Sequence, residues 1–202
     1  MAHIVLVGGG SASGKTYILN KVIDKLGKEN VTHISIDDYY KKLDMPLEER
    51  RKVNFDHPKA FDWDLIETQL KMLKENKTIE KPVYDYTISN RSDKVEIITP
   101  KNLVLVEGIM ALVNKKIRAL SELNIFIDAS RENRLVRRIK RDQVERARTF
   151  DSIVTQYFTS VLPMYEEIID PTKYYADIII NNDGQKNHSI EVLISILSKY
   201  LD

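Results

Sequence analysis

The chain has 202 residues, of which 43% are hydrophobic, and its 31 basic and 30 acidic residues leave a formal net charge of +1. This balance excludes binding to nucleic acid or to an anionic membrane through overall charge, and the absence of cysteine excludes disulfides, thiolate nucleophiles and cysteine metal ligands. The length predicts a single domain over residues 1–202. No segment resembles a membrane span or a secretory signal, so we expect a cytoplasmic protein that binds neither membrane nor nucleic acid.

Short runs rich in valine and isoleucine alternate along the chain with segments of helical periodicity. Five of them predict buried strands: Ile4–Val7, Thr32–Ile36, Leu103–Val106, Ile125–Ile127 and Ile178–Ile180. Three further stretches carry a single apolar stripe and predict helices, at residues 62–74, 151–168 and about 190–201. Near-continuous apolar strands between helices are typical of a parallel sheet covered on both faces. The sequence therefore predicts an α/β fold with a five-stranded parallel sheet.

The first predicted strand leads into a glycine-rich loop and then into a helical stretch. The loop reads Gly9-Gly10-Ser11-Ala12-Ser13-Gly14-Lys15-Thr16, which matches the phosphate-binding pattern G-x-x-x-x-G-K-[ST]. Backbone N–H groups of such a loop surround a phosphate, and the helix N-terminus adds its positive dipole end. Lys15 can reach the β- and γ-phosphates of a nucleotide, and the Thr16 hydroxyl can bind Mg²⁺. The alternative is a plain structural turn, but the strand before the loop and the helix after it favour phosphate binding.

Two predicted strands end in acidic residues. Asp37 and Asp38 follow the second strand, and Glu107 ends the third, before Gly108. Ligands of open α/β sheets bind beyond the carboxyl ends of the strands, so these acids are expected at the same edge as the phosphate-binding loop. An equally weighted alternative for the two aspartates is capping of a helix N-terminus. A buried Glu107 without a partner would be costly, which favours a role in holding Mg²⁺.

Residues 77–100 alternate apolar and polar positions on both sides of a polar segment, and this predicts a β-hairpin that projects from the sheet. Tyr84 and Tyr86 are two residues apart and would share one face of a strand. They either cover the edge of the core or form an aromatic wall for a planar ligand.

The most basic stretch covers residues 130–148. At about 100° per residue, four arginines would share one helix face: Arg134, Arg138, Arg141 and Arg148. One interpretation is a solvated face paired with nearby acids, namely Glu132, Asp142 and Glu145. The excess of arginine favours a phosphate clamp, because arginine binds phosphates bidentately. We predict a lid region at about residues 137–150.

From Ile4 to Leu201 the sequence resembles the uridine (uridine–cytidine) kinases, within the phosphoribulokinase/uridine kinase group of P-loop kinases. The resemblance is carried by the loop at residues 9–16 and by six further stretches. These are Ser35-Ile36-Asp37-Asp38-Tyr39-Tyr40, Asn54-Phe55-Asp56-His57-Pro58, Pro82-Val83-Tyr84-Asp85-Tyr86, Val106-Glu107-Gly108-Ile109, Arg137-Arg138-Ile139-Lys140-Arg141-Asp142 and Pro171-Thr172-Lys173-Tyr174-Tyr175-Ala176-Asp177. The resemblance implies a P-loop kinase fold with an added β-hairpin over a nucleoside site. It also implies transfer of the γ-phosphoryl group of ATP or GTP to the 5′-hydroxyl of uridine and/or cytidine, giving UMP or CMP in pyrimidine salvage.

The same resemblance assigns the catalytic and nucleotide-binding residues. Asp37 matches the family's catalytic acid, which orients and deprotonates the 5′-hydroxyl, and Lys15 and Arg141 match its catalytic partners. The positions that match the ATP site are Gly9, Gly10, Ser11, Ala12, Ser13, Gly14, Lys15, Thr16, Arg146 and Arg148. The positions that match the Mg²⁺ shell are Thr16, Asp37 and Glu107. Arg146 does not share the face of the other arginines, so we expect the helix to end or bend before it.

The nucleoside site is assigned in the same way. Asp56 matches the acid that accepts hydrogen bonds from the ribose 2′- and 3′-hydroxyls, which would favour ribose over deoxyribose. The other positions that match this site are Tyr40, Phe55, Tyr84, Tyr86, Ser89, Arg138 and Gln156. The family commonly has a histidine where this chain has Ser89, and serine is much shorter. The choice between uridine, cytidine and another planar nucleoside therefore stays open, with the adjacent Asn90 as an alternative contact to the base.

Two alternatives to this function remain at the level of the sequence. One is a kinase of another hydroxylated metabolite, such as another ribonucleoside, pantothenate or ribulose phosphate. The other is a non-catalytic nucleotide sensor, which would not need Asp37. The resemblance also implies a homo-oligomer, typically a tetramer.

Overall fold

A computed structural model describes residues 1–50, 52–184 and 188–201 of the chain. Its strands are β1 (His3–Gly8), β2 (Val31–Ser35), β3 (Ile79–Asp85), β4 (Asn90–Ile98), β5 (Leu103–Glu107), β6 (Leu123–Asp128) and β7 (Ile178–Asn181). Five of these strands form one parallel sheet in the order β2-β5-β1-β6-β7, and β3 pairs with β4 in a separate antiparallel hairpin. The predicted five-stranded parallel sheet is confirmed.

Helices lie on both faces of this sheet. They are α1 (Lys15–Leu26), α2 (Leu47–Arg50), α3 (Trp63–Lys74), α4 (Lys115–Arg118), α5 (Arg131–Glu145), α6 (Phe150–Gln156), α7 (Leu162–Met164) and α8 (His188–Leu197). Short 3₁₀ turns add residues 36–39, 58–60, 170–175 and 198–200, and π turns add residues 157–161 and 165–169. Among the described residues, no helix combines the length and the apolar character that a membrane crossing requires.

The sheet separates two hydrophobic cores, and successive residues of β1 alternate between them. Ile4 and Leu6 belong to the core under α3, whereas Val5 and Val7 belong to the core under α1 and α8. Side chains of a strand alternate between its faces, so a strand that is apolar at every position is stable only when both faces are covered. This arrangement explains why the central strands are continuous apolar runs.

The carboxyl ends of three neighbouring strands lie level with one another. The pairing register aligns Val7 of β1 and Ser35 of β2 with Glu107 of β5. The segments that follow these strands therefore start at one edge of the sheet. The loop at residues 9–14, the turn at residues 36–39 and Glu107 meet there, which is the edge where open α/β sheets bind ligands.

Two helical segments differ from the sequence prediction. The helix predicted over residues 151–168 contains two π turns, around a segment with Pro163, whose nitrogen has no hydrogen to donate. Helix α5 ends at Glu145, as expected before Arg146, so the placement of Arg148 on the same helix face was wrong. Instead the chain turns back after α5, and the Arg148 N–H donates to the Asp142 carbonyl at 3.1 Å.

Candidate active site

The glycine-rich loop adopts a backbone that side chains would obstruct. Gly9 has φ +142°, and a Cβ atom there would overlap the carbonyl oxygen of Ile127. Gly14 has φ +93° and precedes the first residue of α1, where it provides no capping side chain. The first N–H groups of α1 are therefore left for another acceptor, which is the arrangement that binds a phosphate.

The Lys15 ammonium lies inside this loop. It donates to the carbonyl oxygens of Gly9 at 3.0 Å and Gly10 at 3.1 Å, and the residue is only 7% exposed. Burial lowers the pKa of Lys15, and the carboxyls of Glu107 and Asp37 partly oppose this effect. The loop thus holds one cation at its centre with two acids close by.

Glu107 is buried at the end of β5 and contacts the start of α1. The Thr16 hydroxyl donates to Glu107 Oε1 at 2.9 Å, and His33 Nε2 lies 4.0 Å from the same oxygen. Burial lowers the pKa of His33, while the Glu107 carboxyl opposes this. Glu107 therefore has a hydroxyl as its hydrogen-bond partner, in reach of the phosphate-binding loop.

Asp37 and Asp38 are adjacent in sequence, but their carboxyls differ in the partners they have. Asp38 forms a short ion pair with the buried Lys81 and accepts a hydrogen bond from the Tyr84 N–H at 3.5 Å, so it fixes the hairpin to the sheet. Asp37 Oδ1 is buried and has no hydrogen-bond partner among the residues that the structure describes. The N-cap position of the turn that contains both is Ser35, which makes no side-chain capping hydrogen bond, so neither aspartate occupies the capping position that the sequence left open.

The unpartnered Asp37 has a strongly perturbed pKa. Burial, followed by the nearby Glu107 carboxyl, raises the pKa of Asp37 to about 7, although Lys15 opposes the rise. A carboxyl that titrates near neutral pH in a cleft can accept a proton from a substrate.

Thr16, Asp37 and Glu107 form an oxygen donor set that fits Mg²⁺. Burial and then the nearby Glu107 carboxyl raise the pKa of Asp37, and a divalent cation held by these residues would relieve the repulsion between the two carboxyls. Over residues 1–50, 52–184 and 188–201, no three His, Cys, Asp or Glu side chains group together to hold a metal.

Four predicted aromatic residues come together beside this edge. Tyr40 packs against Phe55 and against Tyr84, with ring centroids 5.0 Å apart in each pair, and Tyr84 packs at 5.0 Å against Tyr86. Tyr40 and Tyr84 are buried, whereas Tyr86 is 51% exposed. Burial raises the pKa of the neighbouring Asp56, and the arginines of α5, Arg138 first, oppose this rise. The cluster forms an aromatic wall with a carboxyl beside it.

Ser89 lies in the hairpin turn with a positive φ of 49°. The adjacent Asn90 is buried and uses its side-chain amide to donate to the Leu43 carbonyl and to accept from the Leu43 N–H, both at 2.9 Å. Because this amide already ties the hairpin to the loop after Tyr40, the alternative contact from Asn90 is not favoured.

Arginines of α5 and of the turn after it connect the phosphate-binding loop with α6. Arg138 donates to the Ser11 hydroxyl at 2.7 Å and to Gln156 Oε1 at 2.9 Å, and Arg148 donates to the same Gln156 oxygen. Arg137, which the sequence analysis did not assign to the site, donates to the Asn182 carbonyl at 2.7 Å.

Asp142 is a residue whose importance the sequence analysis missed. The charge pattern indicates a surface partner of the arginines at this position, and the family resemblance assigns Asp142 no role, but its side chain is completely buried among the arginines. Its position four residues after Arg138 and four before Arg146 was the available signal, since such residues are neighbours on a helix.

The chain is similar to known proteins over nearly its whole length. The model of the Phosphoribulokinase / Uridine kinase family matches residues 4–189. The chain is 44% identical over 191 residues to a uridine kinase of Limosilactobacillus reuteri (94% of this chain, 88% of the relative), and 44% identical over 193 residues to a uridine kinase of Ligilactobacillus salivarius (95% and 91%). Among solved structures, the phosphoribulokinase from Rhodobacter spheroides has the same fold, with a TM-score of 0.66 at 19% identity over 89% of this chain and 70% of that one.

Proposed function

The chain belongs to the phosphoribulokinase/uridine kinase family, and from this premise we propose that it transfers the γ-phosphoryl group of ATP or GTP to the 5′-hydroxyl of uridine and/or cytidine. The products are UMP or CMP, as in pyrimidine salvage. One observation carries the proposal: Asp37 is near Lys15 of the glycine-rich loop, and its Oδ1 atom is buried with no hydrogen-bond partner in the described part of the chain.

Asp37 is the residue that receives the hydroxyl proton. Its pKa of about 7 leaves a large ionised fraction at neutral pH together with a useful proton affinity. A primary alcohol is a far weaker acid, so proton transfer occurs late, and much of the contribution of Asp37 is to aim the oxygen at the phosphorus. Its buried oxygen without a partner supports this role, since a substrate hydroxyl would satisfy it.

Lys15 and the arginines bind the transferred group. When the triphosphate enters, Lys15 exchanges its two loop carbonyl partners for phosphate oxygens, and the lid residues Arg141, Arg146 and Arg148 supply further positive charge. Thr16, Glu107 and Asp37 would hold Mg²⁺, which neutralises phosphate charge when bound.

Asp56 and the aromatic wall recognise the nucleoside. The burial of Asp56 and its nearness to Arg138 support a carboxylate that accepts two hydrogen bonds from the ribose hydroxyls. Tyr40, Phe55 and Tyr84 surround the nucleoside, and Tyr86 and Gln156 complete this wall. By resemblance to the family Ser89 occupies the position that contacts the base, and its short side chain leaves the uridine-to-cytidine ratio open.

A panel of nucleosides and deoxynucleosides with ATP or GTP and Mg²⁺ tests this function. We expect phosphorylation of uridine or cytidine, with the deoxynucleosides used at least about tenfold less well, because each loses one partner of Asp56. Tight binding of ATP without phosphorylation of any nucleoside would refute the proposal and favour a nucleotide sensor. The perturbed pKa of Asp37 argues against a sensor, since nucleotide binding alone does not require it.

We further propose that the protein acts in the cytoplasm as a homo-oligomer, a tetramer by its resemblance to the family. The outer face of β4 supports an oligomer, since Val95 and Ile97 are 52% and 62% exposed there. Analytical ultracentrifugation tests this part, and a monomer at assay concentrations would refute it.

A further inference from the structure

Asp142 lies at the centre of the lid region, surrounded by cations. Its side chain has 0% exposure, and four guanidinium groups approach its two oxygens at 2.8–3.8 Å. They belong to Arg138, Arg141, Arg146 and Arg148. Four like charges in so small a volume repel one another, and the buried carboxylate of Asp142, together with the nearby Asp56, supplies the attraction that holds them together.

The two carboxylate oxygens divide the arginines between them. Oδ1 accepts from Arg141 Nε at 2.9 Å and lies 2.8 Å from Arg141 Nη2, so this guanidinium is held in one orientation. Oδ2 lies 3.6 Å from Arg148 and 3.7 Å from Arg138 and forms no hydrogen bond within the described part of the chain. Arg138 and Arg148 therefore share one oxygen, and a movement of either one affects the other.

The backbone of Asp142 fixes the same segment. Its carbonyl oxygen accepts from the Arg148 N–H at 3.1 Å, which closes the turn after α5, and Ala147 within this turn has a φ of +49°. The side chain and the main chain of Asp142 thus both fix the course of the chain in the turn after α5.

Two of the arginines around Asp142 reach different parts of the site. Arg138 contacts Ser11 in the phosphate-binding loop, and Arg146 lies over the Tyr86 ring at 4.9 Å in the aromatic wall. An element that orients these side chains jointly affects the phosphate site and the nucleoside site at the same time.

We propose that Asp142 is the positioning residue of the lid, which sets the arginines for both substrates without touching either one. This inference rests on the proposed kinase function. In this role Asp142 acts by orienting the guanidinium groups, in particular that of Arg141. It does not contact the reacting atoms.

Asp142→Asn tests the proposal, since it keeps the shape of the side chain and removes its charge. We expect kcat to fall about 10- to 100-fold and KM to rise for both substrates, because a displacement of about 1 Å can cost 100-fold. The matched control is Glu145→Gln, which removes the same charge from an exposed position on α5 and is expected to change kcat less than about twofold.

Binding of a non-hydrolysable ATP analogue separates geometry from overall charge. Both substitutions make the protein more positive, which by itself tightens binding of an anion. We expect Asp142→Asn to weaken binding nevertheless, by about tenfold, because the arginines lose their arrangement. Equal or tighter binding by Asp142→Asn would overturn the inference. This readout needs no turnover, so it is informative even if the wild-type protein phosphorylates no nucleoside, which would refute the proposed function alone.

A double-mutant cycle tests whether Asp142 acts through Arg141. The loss of kcat caused by Asp142→Asn is expected to be at least about threefold smaller in an Arg141→Ala background, because the orientation it provides is then no longer used. If the two substitutions together reduce kcat by the product of their separate factors, the inference is contradicted, and Asp142 then has a purely structural role. Should Asp142→Asn fail to fold, Asp142→Glu keeps the charge and moves the carboxylate by one methylene. We expect a drop in kcat of at least about fivefold for this variant, and wild-type kinetics would again overturn the inference.

Discussion

Asp37 makes the fold less stable at the pH where it is proposed to act, and Asp37→Asn should reveal this. Its pKa is about 7 in the folded protein, against an ordinary value of 3.8. Between these values the unfolded chain has lost the proton that the folded chain retains, so stability falls as pH rises. Below pH 3.8 both states are protonated and the cost is absent, whereas above about pH 7 it is complete. A neutral asparagine removes this cost.

The size of the effect follows from the two pKa values. The difference corresponds to an upper limit of about 4 kcal/mol, at about 1.4 kcal/mol for each pKa unit. We expect about half of this, because Glu107 and Lys15 share the site with Asp37, and because a buried asparagine amide also lacks partners. For a chain of this length about 2 kcal/mol raises Tm by about 4–8 °C.

Urea denaturation of both proteins at about pH 4 and about pH 8 measures the difference. We expect Asp37→Asn to be the more stable protein at the higher pH and nearly equal to the wild type at the lower one, while its turnover falls by a factor of about 10²–10⁴. The matched control is Asp38→Asn, one residue further along. This substitution takes from the buried Lys81 its closest carboxylate, so it should destabilise the fold by about 1–3 kcal/mol.

Two outcomes would refute this reasoning. One is an Asp37→Asn variant that is no more stable than the wild type at the higher pH. The other is a gain in stability of the same size at both pH values, which would attribute it to packing and not to ionisation.

Three further predictions concern activity. Asp56→Ala should raise KM for the nucleoside at least about tenfold more than KM for ATP, and equal effects in steady-state kinetics would contradict its assignment to the ribose. Ser89→His should increase the use of uridine relative to cytidine, and an unchanged ratio in a competition assay would exclude the position from base recognition. Activity should rise with pH as the Asp37 carboxyl ionises, with the midpoint of the acidic limb of kcat/KM at or below about 7, since Mg²⁺ bound at this carboxyl opposes the rise of its pKa; an activity that falls over this pH range would remove Asp37 from the role of base.

The sheet and the phosphate-binding loop could be predicted because their signals are local. A strand buried on both faces is apolar at every position, and the loop needs glycines at fixed spacing next to Lys15 and Thr16. The π turns could not be predicted, since the apolar stripe of residues 151–168 has almost the same period in an α-helix with inserted π turns.

The partners of the acidic residues could not be predicted, because they depend on contacts between distant parts of the chain. Lys81 lies 43 residues after Asp38, and only the folding of the hairpin over the sheet brings the two together. Asp142 is close in sequence to its arginines, but its burial depends on a turn that reverses the chain after α5. The spacing along the sequence predicts which residues neighbour Asp142 on the helix. It does not predict that the Asp142 side chain is buried from solvent.

Three acids at the site differ in how their charge is compensated. This difference distinguishes the acids that stabilise the structure from the acid that is proposed to react. Asp38 has the ammonium of Lys81 as a direct partner, and Asp142 has four guanidinium groups. Asp37 has a buried oxygen with no hydrogen bond in the described structure, and its pKa is raised to about 7. A fold selected only for stability would pair or replace such a carboxyl, since a buried carboxyl oxygen without a hydrogen-bond partner is costly even with a cation nearby. Its retention beside a phosphate-binding lysine is therefore the strongest physical argument that this edge of the sheet carries out a reaction and does more than bind a nucleotide.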